Sequence, residues 1–121
     1  MKIEHFEQID SWKEARLLVQ AIYAALHDCR DWGYKDQIQR AAISVMSNIA
    51  EGFDRGSNKE FVQFLVIARG SVSEVKSLAY AGMDVGHLSA DSFESIKTKC
   101  TKISNTINGF IRYLNGADRK R

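Results

Sequence analysis

The stretch Ser47 to Phe61, SNIAEGFDRGSNKEF, crowds Asn48, Glu51, Asp54, Arg55, Asn58, Lys59 and Glu60 between two long apolar-periodic segments. Carboxylates, amides and a guanidinium at this density are the materials of general acid–base chemistry. The same residue types also terminate helices and build turns, because short polar side chains compete for backbone hydrogen bonds. No histidine or cysteine stands among them, and a serine without a base is not a nucleophile. Glu51 and Arg55 are four apart in the favourable acid-first order. Ser57 and Glu60 have the spacing of a capping box, in which the serine oxygen and the glutamate carboxylate satisfy orphan amides reciprocally. The stretch therefore reads as the end of a polar stripe, a turn and a helix cap.

The remaining reactive side chains are scattered. His5, His27 and His87 stand alone, with His27 on a solvent-facing side of its helix and His87 in a loop. Cys29 and Cys100 are far apart with no partner at metal-ligand spacing, so both are expected to be buried, reduced thiols. Glu51, Glu74 and Arg69 are placed to meet across two helices as an ion pair holding the bundle. These features predict no metal, no cofactor, no small-molecule substrate and no enzymatic activity.

Four stripes position these groups. Trp12, Ala15, Val19, Ile22, Leu26 and Cys29 recur three and four apart, as do Ile38, Ala42, Val45, Ile49 and Gly52. Phe61, Leu65, Ala68, Val72, Val75 and Ala79 form a third stripe, and Phe93, Ile96, Cys100, Ile103, Ile107, Phe110 and Leu114 a fourth. This period is that of a helix face. The predicted helices are about 10–29, 34–53, 58–83 and 90–114, capped at Asp10 or Ser11 and at Ser89 or Asp91, with Asn115 and Gly116 closing the last. There is no proline to break them. Strand signals are missing, and the short connections predict an all-α, antiparallel, up-down-up-down four-helix bundle in one domain spanning 1–121.

Composition agrees: 45% hydrophobic and 26% charged residues are ordinary globular usage, which disfavours wholesale disorder. A net charge of +2 does not by itself mark a nucleic-acid binder, so any basic surface must be local. The opening MKIEHFEQIDSWKEA carries acids where a secretory leader would be apolar, and no run approaches the roughly 18 apolar residues of a membrane span. A cytoplasmic protein without membrane contact is expected.

The second helix carries more apolar surface than its core stripe needs. Ile43, Met46, Ala50 and Phe53 widen its apolar arc to about 200°, where a surface helix needs about 100°. Val62, Val66 and Tyr80 likewise stand outside the third stripe. An exposed strip of this kind predicts a homo-oligomer, with Ile43, Met46, Ala50, Phe53, Val62 and Val66 as interface candidates. Opposite that arc, Arg40, Ser44, Ser47, Asn48 and Glu51 share one narrow face of the second helix.

Asp36 to Val75, DQIQRAAISVMSNIAEGFDRGSNKEFVQFLVIARGSVSEV, resembles the bacterial four-helix-bundle family named after proteins encoded by intervening sequences within 23S ribosomal RNA genes. The matching features are Gln37, Arg40 and Ala41 at the start of the second helix, Asn48 to Gly52, and Ala68, Gly70, Ser71 and Glu74 on the third. SWKEARLLVQAIY resembles the family's first helix, and the likeness runs from about Ile9 to Leu88; CRDWGYKD lacks the proline often found in that connection. The resemblance implies a homopentamer without established enzymatic activity. A similar bundle occurs in the accessory variability determinant proteins of diversity-generating retroelements, pentamers with a basic, nucleic-acid-binding surface. Two functions stay open. One is an oligomeric adaptor that contacts RNA or DNA through Lys97, Lys99, Lys102, Arg112, Arg119, Lys120 and Arg121; the other is a protein–protein scaffold without nucleic-acid contact.

Overall fold

The computed structural model describes residues 2–119. A single-turn 3-10 helix, Phe6–Gln8, leads into four α-helices: α1 (Asp10–Ala25), α2 (Trp32–Asp54), α3 (Asn58–Asp84) and α4 (Ala90–Arg119). There is no strand among the described residues. Each α-helix packs on its neighbours in sequence and α1 also packs on α4, while the backbones of the diagonal pairs stay apart, so the four close a ring around one core.

Every residue of the expected α2 and α3 stripes is buried, and in the α4 stripe only Phe110 is partly exposed. The first stripe is shifted. Ser11, Ala15, Leu18 and Ile22 are buried on α1, whereas Trp12 and Val19 are half-covered. Leu18 falls outside the expected stripe because α1 must face both α2 and α4, which turns its inner face off the simple seven-residue line.

The helix ends follow local chemistry. Ser57 caps α3, its Oγ accepting the Glu60 amide at 3.2 Å. The Glu60 carboxylate accepts the Ser57 hydroxyl at 3.3 Å, so the serine half of the capping box is present and the glutamate turns to the side chain. Ser89 caps α4 by accepting the Ser92 amide at 3.1 Å. Gly56 and Gly86, at φ +89 and +85, take the left-handed conformation that follows a helix end. After α3 the His87 amide bonds the Gly82 carbonyl and the Gly86 amide that of Met83, the paired bonds of a Schellman motif.

Three boundaries differ from expectation. α1 stops at Ala25, and neither Asp10 nor Ser11 caps it: Ile9 holds the cap position without a side-chain bond. α2 starts at Trp32, two residues early, because the Asp31 carboxylate caps it by accepting the Tyr34 amide at 3.2 Å, which leaves Gly33 inside the first turn. α4 runs through Asn115 and Gly116 to Arg119, since Gly116 keeps a negative φ and makes no left-handed cap.

Two glycines set how closely α2 and α3 approach. A Cβ on Gly52 would lie 2.6 Å from Phe64 Cβ, an atom too near its own backbone to yield, and one on Gly82 would collide with the Tyr34 hydroxyl. Gly52→Val and Gly82→Ala are expected to destabilise by about 1–3 kcal/mol through overpacking, and Ser57→Ala by about 1 kcal/mol through removal of its cap. Thermal melts at one protein concentration check all three, and an unchanged midpoint refutes the corresponding contact.

Candidate functional site

The residues of the sequence motif gather along the α2–α3 seam. The hydroxyls of Ser44 and Ser71 meet at 2.9 Å, and the Asn48 amide donates to the Ser44 carbonyl at 2.8 Å and to its hydroxyl at 2.9 Å. Asn48 thereby satisfies a half-buried hydroxyl pair that would otherwise weaken the contact. Outside this pair, Arg40 bonds Asp36 at 2.8 Å and Arg55 bonds Glu51 at 2.9 Å, each one helical turn apart. The Arg55 guanidinium also lies 4.9 Å from the centre of the Phe64 ring. Gln37, Gly70 and Glu74 are exposed, and no neighbour comes within contact of a Cβ added at Gly70. Ser44 is bonded by Ser71 and by the Asn48 amide, and neither a hydroxyl nor an amide can act as its base.

The apolar excess divides in two. Met46, Ala50, Phe53 and Val62 are half-buried, with Met46, Phe53 and Val62 packed against the core of their own chain. Ile43 and Val66 stay 41% and 43% exposed, and Ile67, outside the expected set, is 52% exposed. The second helix is apolar over so wide an arc partly because α1 and the 3-10 helix both lie against it.

Arg69 does not join Glu51 and Glu74. It points the other way and donates to the Asn108 side chain at 2.7 Å, because at 100° per residue it lies on the α4-facing flank of α3 while Glu74 lies on the flank towards α2. One heptad on, Lys76 donates to Thr101 at 3.5 Å. Lys97 sits 5.8 Å from the ring centres of both Tyr80 and Phe93. Lys99 is half-buried and donates to Ser95 at 3.0 Å. Lys102 is 71% exposed and 3.9 Å from Glu14, a loose pair. Arg112 is exposed, Arg119 is the last residue of α4, and Lys120 and Arg121 lie outside the described residues. The signal for Arg69 and Lys76 was their seven-residue spacing, each directly after a core residue, Ala68 and Val75.

At the end of the bundle holding the α1–α2 and α3–α4 connections, His87 is not isolated. Its Nε2 lies 3.0 Å from Asp31 Oδ2, and its ring is 5.1 Å from that of Tyr34, whose hydroxyl donates to the Leu78 carbonyl at 2.7 Å. The His87 hydrogen bond, helped by the Tyr34 amide, holds the Asp31 carboxyl below the usual carboxylate value. Burial pushes the Tyr34 phenol up to about 12 and the Cys100 thiol up to about 11. Both cysteines are free, Cys29 half-exposed and Cys100 buried. Among the described residues no three histidine, cysteine or acidic side chains come together to hold a metal ion, and no helix is long and apolar enough to cross a membrane.

Residues 7–109 match the profile of the 23S rRNA-intervening sequence proteins, and the chain belongs to that family. A crystal structure at 1.70 Å of a protein of unknown function, from the S23 ribosomal protein family of Bacteroides thetaiotaomicron VPI-5482, has a similar fold. Its TM-score is 0.73 at 22% identity, over 84% of this chain and 94% of that one. No curated protein matches.

Asp31 gives a test in acid. Because its folded-state carboxyl is depressed, the stability it contributes is complete above the ordinary carboxylate value and is lost as pH falls through the depressed one. Melts of wild type and Asp31→Asn should differ at neutral pH and converge in acid. A difference that persists unchanged below pH 3 or so, beneath the ordinary carboxylate range, refutes the link.

Proposed function

We propose that the chain is a non-enzymatic homo-oligomer, an antiparallel up-down-up-down bundle assembled as a pentamer in the cytoplasm, whose repeated basic surfaces hold structured RNA or another nucleic acid. The observation that carries the oligomer is the exposure of Ile43, Val66 and Ile67 outside a core that is already filled. Such side chains on a soluble chain mark contact surfaces. The pentamer follows the family resemblance, as does the likeness to the accessory variability determinant proteins. Five copies multiply weak phosphate contacts, so that a modest basic patch gains through avidity. Lys102 and Arg112, both exposed, are available for this part of the reading, and the tail from Arg119 to Arg121 adds charge.

A protein–protein scaffold is the second reading, favoured by the half-buried Lys99, whose ammonium donates to Ser95 on its own helix. Purification without nuclease, followed by sizing with light scattering and absorbance at two wavelengths, separates the two. A pentamer carrying nucleic acid supports the first reading, a nucleic-acid-free pentamer the second, and a monomer at micromolar concentration removes both. Ile43→Glu and Val66→Glu should lower the assembly state while leaving helicity unchanged, since at exposed positions they bury a charge only if a neighbour covers them. Met46→Glu should unfold the chain as well, because Met46 packs on its own core.

A further inference from the structure

Three cations along the α3–α4 seam are held differently from Arg40 of α2 and Arg55 just after it. Arg40 and Arg55 are paired with carboxylates one helical turn away, at 2.8 and 2.9 Å. Across the α3–α4 seam, Arg69 reaches Asn108, Lys76 reaches Thr101, and Lys97 lies over Tyr80 and Phe93. Each cation is held by a neutral group, and none of the three forms an ion pair among the described residues. Their charge is fixed in place without being cancelled.

Arg69 and Lys76 are seven residues apart on α3, as their partners Thr101 and Asn108 are on α4, so these two rungs stand about 10.5 Å apart along the seam at the helical rise of about 1.5 Å per residue. Lys97 makes the third rung with Tyr80, one turn further along α3 from Lys76. All three residues are half-buried and their heads already held, which lowers the entropy lost on fixing them against a ligand. A guanidinium has five donors and an ammonium three, and the seam contacts leave most of them for a second acceptor. Next to Lys97 the outward face of α4 offers Thr98, Thr101 and Asn105, exposed and uncharged, with Glu94 the acid at the end of this shallow trough.

A row of fixed, uncancelled cations beside hydroxyl and amide donors is chemistry for a chain of phosphates, because only a polyanion gains at every rung. We infer that the α3–α4 seam is a phosphodiester-binding surface, on which Arg69, Lys76 and Lys97 hold phosphates of a nucleic acid laid along the two helices. This rests on the nucleic-acid part of the function proposed above and places the contact on the seam, with α3 supplying two of its three cations, instead of on the α4 tail.

The test is fluorescence anisotropy of a labelled RNA hairpin and a labelled DNA duplex, titrated with the full chain across a range of potassium chloride concentrations. Three proteins are compared: wild type, a seam variant with Arg69→Gln, Lys76→Gln and Lys97→Gln, and a tail variant with Arg119→Gln, Lys120→Gln and Arg121→Gln. The seam variant should bind at least about tenfold more weakly at low salt, and its log-affinity slope against log salt should shrink by about 0.9 for each duplex phosphate it no longer neutralises. The tail variant should keep most of the wild-type slope. If wild type binds neither probe, the nucleic-acid reading fails and takes the seam with it. If wild type binds and the seam variant keeps its slope while the tail variant loses it, the location is overturned and the nucleic-acid reading stands. Lysine acetylation of the wild-type protein, with and without the hairpin, tests the location even where the seam variant does not fold. Lys76 and Lys97 should be protected relative to Lys13 on α1, and equal labelling of all three overturns the proposal.

Discussion

The close approach of α2 and α3 is the constraint on which the rest of the bundle depends. Gly52 admits Phe64 near one end, Gly82 admits the Tyr34 ring near the other, and between them a serine pair replaces bulk with a hydrogen bond. Interiors are packed too densely to absorb an extra methyl at such points. With these two helices locked, α1 and α4 have a fixed surface to pack against, and the buried face of each follows from where α2 and α3 already stand. The polar motif residues are thus mostly fittings of this seam: Asn48 satisfies Ser44, Glu51 engages Arg55, and Ser57 starts the next helix.

Much of this was legible in the sequence because helix periodicity reports directly on burial. The stripes from Ile38 to Gly52 and from Phe61 to Ala79 name buried residues without exception. What periodicity misses is the direction of the non-core side chains. Leu18 on α1 and the α4-facing turn of Arg69 depend on which neighbour lies to each side, and a single stripe carries no such information. Boundaries failed for a related reason. Asn115 and Gly116 look like a helix stop, yet a glycine ends a helix only where it adopts a positive φ, as Gly56 and Gly86 do.

The two kinds of charge on the surface differ in consequence. Pairs one turn apart on α2 contribute little to stability and leave that face nearly neutral. On α3 and α4, Arg69, Lys76 and Lys97 are anchored by amide, hydroxyl and ring, and none of the three is paired with an acid among the described residues, although the whole chain is close to balance, at +2. Net charge hides this division, because it is a property of the total and binding is a property of one side.

The ring of contacts also orders the folding of the chain. Three of its four seams join helices adjacent in sequence, across connections of a few residues, and so close at small entropic cost. The α1–α4 seam alone must bring together segments from opposite ends of the sequence. It is also the seam where Ser11 Oγ and Glu14 Oε1 are buried without a hydrogen-bond partner among the described residues and where the cross-contact, Lys102 to Glu14, is loose at 3.9 Å. The joint that carries the largest loop-closure cost is therefore the one with the poorest polar satisfaction, and local opening of the bundle should begin by parting α1 from α4.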